Sequence, residues 1–289
     1  MLVVLSAGYS VFMCRRTCNE DVVTATSTQC MERMSMPIGP CVGVTSLDDK
    51  LYVLREHQSH INVYSTTDYN RLPDLPVPEL NEPRDIASCG CKKCLYISES
   101  SKKCIHRVQL NGSVTKWSLT DEPCRLSVTS VGNVLTCAER CIVELSGENG
   151  QIVRRIQVKV NTQIHRGLHA TQMGLRDIQL LHCVQLASGG FVTCHDREVC
   201  VVGFDGRVTR NCNISCPWHL AVDKDSQFIF VATILPYKVV LLSPTLDFVR
   251  EITQGHMYGC EPRRVHLDPV TYRLYVGFSN GSVIIIQLL

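Results

Sequence analysis

Six times along the chain a run of four mostly apolar, β-branched or aromatic residues returns between polar turn residues. The runs are Leu51–Leu54, Leu95–Ser98, Val134–Cys137, Phe191–Cys194, Ile229–Ala232 and Leu274–Gly277. Their starting points step by 44, 39, 57, 38 and 45 residues. A mean of about 45 residues is the period of a four-stranded propeller blade. Helical periodicity is almost absent, which leaves an all-β chain as the class.

Further strands fall into phase with these anchors. An inner strand precedes each one, at Cys41–Ser46, Arg84–Ser88, Arg125–Thr129, Cys183–Ala187, His219–Asp223 and Arg264–Asp268. A third strand follows at Ile61–Ser65, Ile105–Leu110, Cys141–Ser146, Val199–Phe204, Lys238–Ser243 and Ser282–Leu288. Asp48-Asp49, Asn111-Gly112, Asn149-Gly150, Asp205-Gly206 and Asn280-Gly281 supply the residues that tolerate positive φ in tight hairpins. A fourth, outer strand is visible after five copies, the first of them the proline-rich Arg71–Val77, where an edge position tolerates proline. The sixth copy runs out at its third strand, and an open blade edge invites aggregation. The expectation is a six-bladed β-propeller of four-stranded antiparallel blades over residues 36–289. Residues 1–35 then form an N-terminal segment whose strand-like Asp21–Ser27 closes the last blade. The 57-residue step marks an insertion, the polar segment Asn161–Gly174, between blades three and four.

Composition narrows the function classes. Apolar residues are 45% and charged residues 19% of 289, with a net charge of +2, so there is no whole-molecule attraction to nucleic acid or anionic membrane. No segment approaches the uninterrupted apolar run of about 20 residues that a membrane helix requires. The 17 cysteines sit mostly inside apolar strand runs, as at Cys41, Cys137, Cys183, Cys194 and Cys200. Free thiols of that kind bury as small hydrophobes and point to a reducing, cytoplasmic setting, with secretion the lesser alternative because the apolar start Met1–Met13 has no basic stretch before it.

Parts of the repeat resemble a known family. Pro217–Asp223 followed by Phe228–Ala232 and Lys238–Ser243 is similar to an NHL repeat, as is Glu82–Ala87 with Cys94–Ser98 and Cys104–Val108. The resemblance spans about residues 36–289 in six degenerate copies. The usual Asp-x-x-Asn-x-Arg stretch before the third strand is largely lost; Ser98–Cys104 keeps only its shape. NHL propellers serve mostly as platforms for protein or RNA, as in the tripartite-motif ubiquitin ligases; a minority relative, the peptidyl-amidating lyase, is an enzyme. No RING finger or B-box precedes the repeats in this sequence, so the resemblance carries no ligase activity. The recurrent Gly-His and Trp-Asp dipeptides of WD-type propellers are missing, a single Gly255-His256 apart.

Candidate chemistry is sparse. No Ser/His/Asp order, phosphate-cradling loop or paired carboxylates stands in a supporting context, so no enzyme and no cofactor is expected. His182, His219 and His266 lie on the inner strands of blades four, five and six, where a channel metal is within reach, with Asp223 and Asp268 as oxygen donors. Cys89-Gly-Cys91-Lys-Lys-Cys94 has the form of a zinc or redox knuckle, but its second cysteine pair, Cys14/Cys18 or Cys137/Cys141, is remote. Basic residues cluster at Lys92, Lys93, Lys102, Lys103 and Arg107, and again at Arg263 and Arg264. With Trp117, Trp218 and Tyr258 for stacking they form the candidate RNA or partner surface. The leading expectation is a protein-interaction scaffold, with RNA binding on one basic face as the first alternative and a metal-dependent lyase as the second.

Overall fold

The computed structural model describes residues 29–34, 39–159, 179–195, 197–253 and 259–288. Asp21–Ser27, the insertion Asn161–Gly174 and Tyr258 lie outside these residues. The described residues form six four-stranded antiparallel sheets, the blades of a propeller. The first strand, β1 (Gln29–Met34), precedes the blades. Blade one is β2 (Cys41–Leu47), β3 (Lys50–Arg55), β4 (His60–Ser65) and β5 (Arg71–Pro76). Blade two is β6 (Asp85–Cys89), β7 (Cys94–Glu99), β8 (Cys104–Gln109) and β9 (Val114–Ser118). Blade three is β10 (Leu126–Val128), β11 (Val134–Ala138), β12 (Cys141–Leu145) and β13 (Ile152–Gln157). Blade four is β14 (His182–Gln185), β15 (Phe191–His195), β16 (Glu198–Val202) and β17 (Val208–Asn213). Blade five is β18 (Pro217–Val222), β19 (Ile229–Ile234), β20 (Tyr237–Leu242) and β21 (Phe248–Thr253). Blade six contributes β22 (Pro262–Asp268), β23 (Arg273–Phe278) and β24 (Val283–Gln287).

The second and third strands of each blade are buried on both faces, which is why they read as continuous apolar runs rather than alternating ones. Their side chains pack between blades. Val42, Leu54 and Ile61 meet Ile86, Leu95 and Ile97 between blades one and two. Cys41, Val44 and Val53 meet Tyr275, Val283 and Ile285 between blades one and six, so the apolar layer is continuous around the ring. Close approach at these seams requires glycine in places: a Cβ on Gly43 would lie 2.6 Å from Ile86 Cγ2 and 2.9 Å from the Ile86 backbone nitrogen. Outer strands are half exposed, and β5 carries Pro73 and Pro76 where a missing N–H costs little.

Blade six is completed by β1, which pairs antiparallel with β24 from Gln29 opposite Gln287 to Met34 opposite Val283. An N-terminal strand therefore closes the ring, but it lies at Gln29–Met34 rather than Asp21–Ser27. The β-branched run at 21–27 suggested the earlier position, whereas the free edge of β24 accepts a strand by backbone pairing whatever its composition. A second tie at the same seam is the buried Arg55. Its guanidinium donates to the carbonyl oxygens of Gly39 at 2.7 Å and Gly281 at 3.1 Å, joining blade one to the β23–β24 turn.

Candidate functional site

The first strands β2, β6, β10, β14, β18 and β22 stand side by side around the central channel, β22 returning to β2. The buried Asp85, which opens β6, is the hub of this ring. Its Oδ1 accepts from Arg264 Nε of blade six at 3.0 Å. Its Oδ2 accepts from the Leu126 backbone N–H of blade three at 2.9 Å and lies 3.3 Å from His219 Nε2 of blade five. Burial alone would raise this carboxyl; Arg264 and His219 together hold it well below the usual carboxylate range. Burial in turn lowers Arg264 to about 10, with Asp85 opposing the shift.

His182 and His219 stack in the same channel with ring centroids 4.0 Å apart. The Leu220 N–H donates to His182 Nδ1 at 3.1 Å, so the ring proton sits on Nε2, which points to the Leu126 carbonyl oxygen at 3.1 Å. Both nitrogens of His182 are thus engaged by backbone, joining blades three, four and five. His219 gives Nε2 to Asp85 and keeps a buried Nδ1 without a partner. His266 is separate: its Nε2 accepts from the Ser46 backbone N–H at 3.0 Å, linking blades six and one. Burial is the first cause lowering all three, His182 well below the ordinary imidazole value and His219 and His266 to about 4. The rings are held neutral.

Asp85, His182 and His219 bring three ligand-type atoms together. As a metal site the set is a poor fit: His182 has no lone pair left, and the Arg264 guanidinium already answers the Asp85 charge. Asp223 and Asp268 are outside this set, although Asp268 acts on His266, two residues before it on β22. They lie at the far ends of β18 and β22, Asp223 accepting from Ser226 and the Asp225 N–H, and Asp268 from the Val270 N–H at 2.9 Å.

One end of the channel widens into a cavity of about 490 Å³ lined by all six first strands. Thr45, Ser46, Ser88, Ser127 and Ser130 give it small hydroxyl groups, and the three histidines border it. Two turns at this end expose apolar side chains, Val131 at 69% and Val270 at 82%, although neither is needed for packing. Val270 is itself part of the cavity wall.

The basic residues separate. Lys92 and Lys93 occupy the β6–β7 turn, while Lys102 and Lys103 occupy the β7–β8 turn at the other end of β7. Lys92 pairs with Glu148, Lys93 with Asp48, and Lys102 with Glu99 at 3.0 Å. Arg107 lies 3.9 Å from Glu148, Arg263 bonds Glu261 at 3.2 Å, and Arg264 is consumed by Asp85. Of the aromatics, Trp117 is buried against Tyr96. Trp218 is covered by the Arg125 guanidinium, 3.9 Å from the ring centroid. In the cysteine knuckle, Cys89 Sγ lies 3.4 Å from Cys91 Sγ. The hydrogen bond with Cys89 draws the Cys94 thiol downward, burial opposing it. No disulfide joins the described cysteines. The sequence placed His182, His219 and His266 on inner strands near the channel without pairing the first two; Asp85 and Arg125 were not singled out, although Asp85 stands in the Glu82–Ala87 stretch.

Neither a family model nor a curated protein matches the sequence. Solved structures match the fold. A catalytically inactive virginiamycin B lyase from Staphylococcus aureus, solved with quinupristin, has a TM-score of 0.62 at 10% identity, covering 87% of this chain and 95% of that one. The WD40 β-propeller domain of Doa1 gives 0.61 at 14% identity, covering 91% and 97%. These likenesses define the class, a six-bladed β-propeller, and at such identities the fold alone is shared.

Proposed function

We propose that this chain is a non-enzymatic protein-binding platform of the NHL-like kind, and that the widened end of the channel is its docking face. The observation that carries the reading is the mouth itself: small hydroxyls from the first strands form the cavity, with exposed Val131 and Val270 at its rim. Isolated apolar side chains beside a concave, hydrogen-bonding surface suit a protein segment, which supplies both backbone groups and an apolar contact. Both nitrogens of His182 are engaged by backbone and Nε2 of His219 by Asp85, which weighs against a lyase's use of this pair. The lysines that an RNA face would use divide between the two ends of the blades, and Lys92, Lys93 and Lys102 are answered by carboxylates, which favours a protein partner over RNA.

The test is affinity purification of the tagged full chain from cell extract, with and without ribonuclease, beside the Val131→Asp/Val270→Asp variant. A protein set that survives nuclease and is lost with the variant supports the platform. A set that dissolves with nuclease, or one indifferent to the variant, overturns this reading of the face.

A further inference from the structure

The β15–β16 hairpin of blade four brings together an imidazole, a carboxylate and a thiol. His195 ends β15, Glu198 begins β16 directly opposite it, and Cys200 follows two residues later on the same face of the sheet. All three side chains are buried, at 4%, 4% and 1% exposure. His195 Nε2 lies 3.4 Å from Glu198 Oε2. Cys200 Sγ lies 3.9 Å from that nitrogen and 3.7 Å from that oxygen.

Those separations are the edges of a coordination tetrahedron. With metal–nitrogen and metal–oxygen bonds of about 2.1 Å and a metal–sulfur bond of about 2.3 Å, a tetrahedral zinc ion sets its N–O edge near about 3.4 Å and its S–N and S–O edges near about 3.6 Å. The ligand set, one soft sulfur with an imidazole and a carboxylate, is zinc chemistry rather than calcium or magnesium chemistry. On the neighbouring outer strand, register places Asn211 opposite Cys200 and Asn213 opposite Glu198. A water or an amide oxygen from that strand completes the coordination.

Blade two supplies an internal comparison. Glu99, Cys104 and His106 converge at the equivalent hairpin, with Glu99 Oε2 3.0 Å from His106 Nε2. There the carboxylate is already answered, by Lys102 Nζ at 3.0 Å and by the Asn81 and Glu82 N–H groups at 3.2 Å each. Glu99 is the strongest charge acting on Cys104, with Lys116 and Lys102 opposing it, and Glu198 is the strongest charge acting on the buried Cys200. In blade two the cation that the carboxylate attracts is Lys102.

We propose that His195, Glu198 and Cys200 form a zinc site that clamps the β15–β16 hairpin, the Cys200 thiol releasing its proton to the solvent as the zinc–sulfur bond forms. The experiment is a cobalt(II) titration of the full chain, following the thiolate-to-cobalt charge-transfer absorption, with zinc content measured by mass spectrometry after dialysis against zinc. Cys200→Val preserves a small apolar side chain at a buried strand position, Glu198→Gln preserves shape without charge, and Cys104→Val probes blade two. Circular dichroism of each metal-free variant verifies the fold. The proposal expects one metal per chain, the absorption band intact in Cys104→Val, absent in Cys200→Val and weakened by an order of magnitude in Glu198→Gln. Absence of the band in the unaltered chain, or its persistence in Cys200→Val, overturns it.

Discussion

Arg264 donates to Asp85 across 179 residues of sequence, at 3.0 Å and out of contact with solvent. The pair joins blade six to blade two past the intervening blade one, and the same carboxylate holds blades three and five through Leu126 and His219. Replacing one partner leaves the other charged and buried. Asp85→Asn is therefore expected to cost about 3–5 kcal/mol of stability. Urea unfolding followed by tryptophan fluorescence measures it, and Asp85→Leu/Arg264→Met is expected to recover part of that loss, since no isolated charge remains.

The channel histidines make stability depend on pH. Their folded values are depressed, to about 4 for His219 and His266, below the ordinary 6.5. Between those values the unfolded chain binds protons that the folded chain refuses, so stability falls as pH drops from 6.5 toward 4 and levels below it. Each histidine contributes up to about 1.4 kcal/mol per pH unit at the steepest point. Asp85, depressed far below the carboxylate range, stays ionised throughout this window. Chemical denaturation at stepped pH is expected to show the slope, and His266→Gln to reduce it by one histidine's share.

The seam between blades one and two leaves no space for a methyl group at position 43. Gly43→Ala pushes against Ile86, including its backbone nitrogen, and is expected to destabilise by about 1–3 kcal/mol. Thermal unfolding distinguishes this from Gly90→Ala, whose added Cβ meets nothing within 4 Å and which is expected to melt unchanged.

Removing residues 1–34 takes away β1 and uncovers the edge of β24. The shortened chain is expected to lose its single cooperative melting transition and to form higher-order species by edge pairing. Size-exclusion chromatography and calorimetry on the two lengths check this; a truncated chain that stays monomeric with the same transition contradicts it.

The blades were legible because their second and third strands are buried on both faces, leaving apolar runs such as Leu95–Ile97 and Val283–Ile286 with hairpin turns between them. The closing strand was not. Gln29–Met34 has no β-branched residue, and it pairs with a partner at the other end of the chain. His182 and His219 were placed on inner strands near the channel, but His182 read as out of phase with His219, and only the structure shows that their rings stack. Asp85 was hidden among Glu82, Arg84 and other charges of a connecting loop, where no local pattern tells which one turns inward. The blade-four cluster escaped because its residues lie within one hairpin, whereas metal ligands were sought as paired cysteines or across blades.

The register of β1 on β24 also sets how the ring responds to force. Gln29 and Gln287 lie opposite each other, so the start of β1 and the end of β24 share one point of blade six. Tension between those two strand ends falls on one backbone hydrogen-bond pair at a time and peels the joint open like a zipper, instead of shearing all of them together. The seam is thus loaded first, while the same pull leaves the other five blades unstretched until it parts.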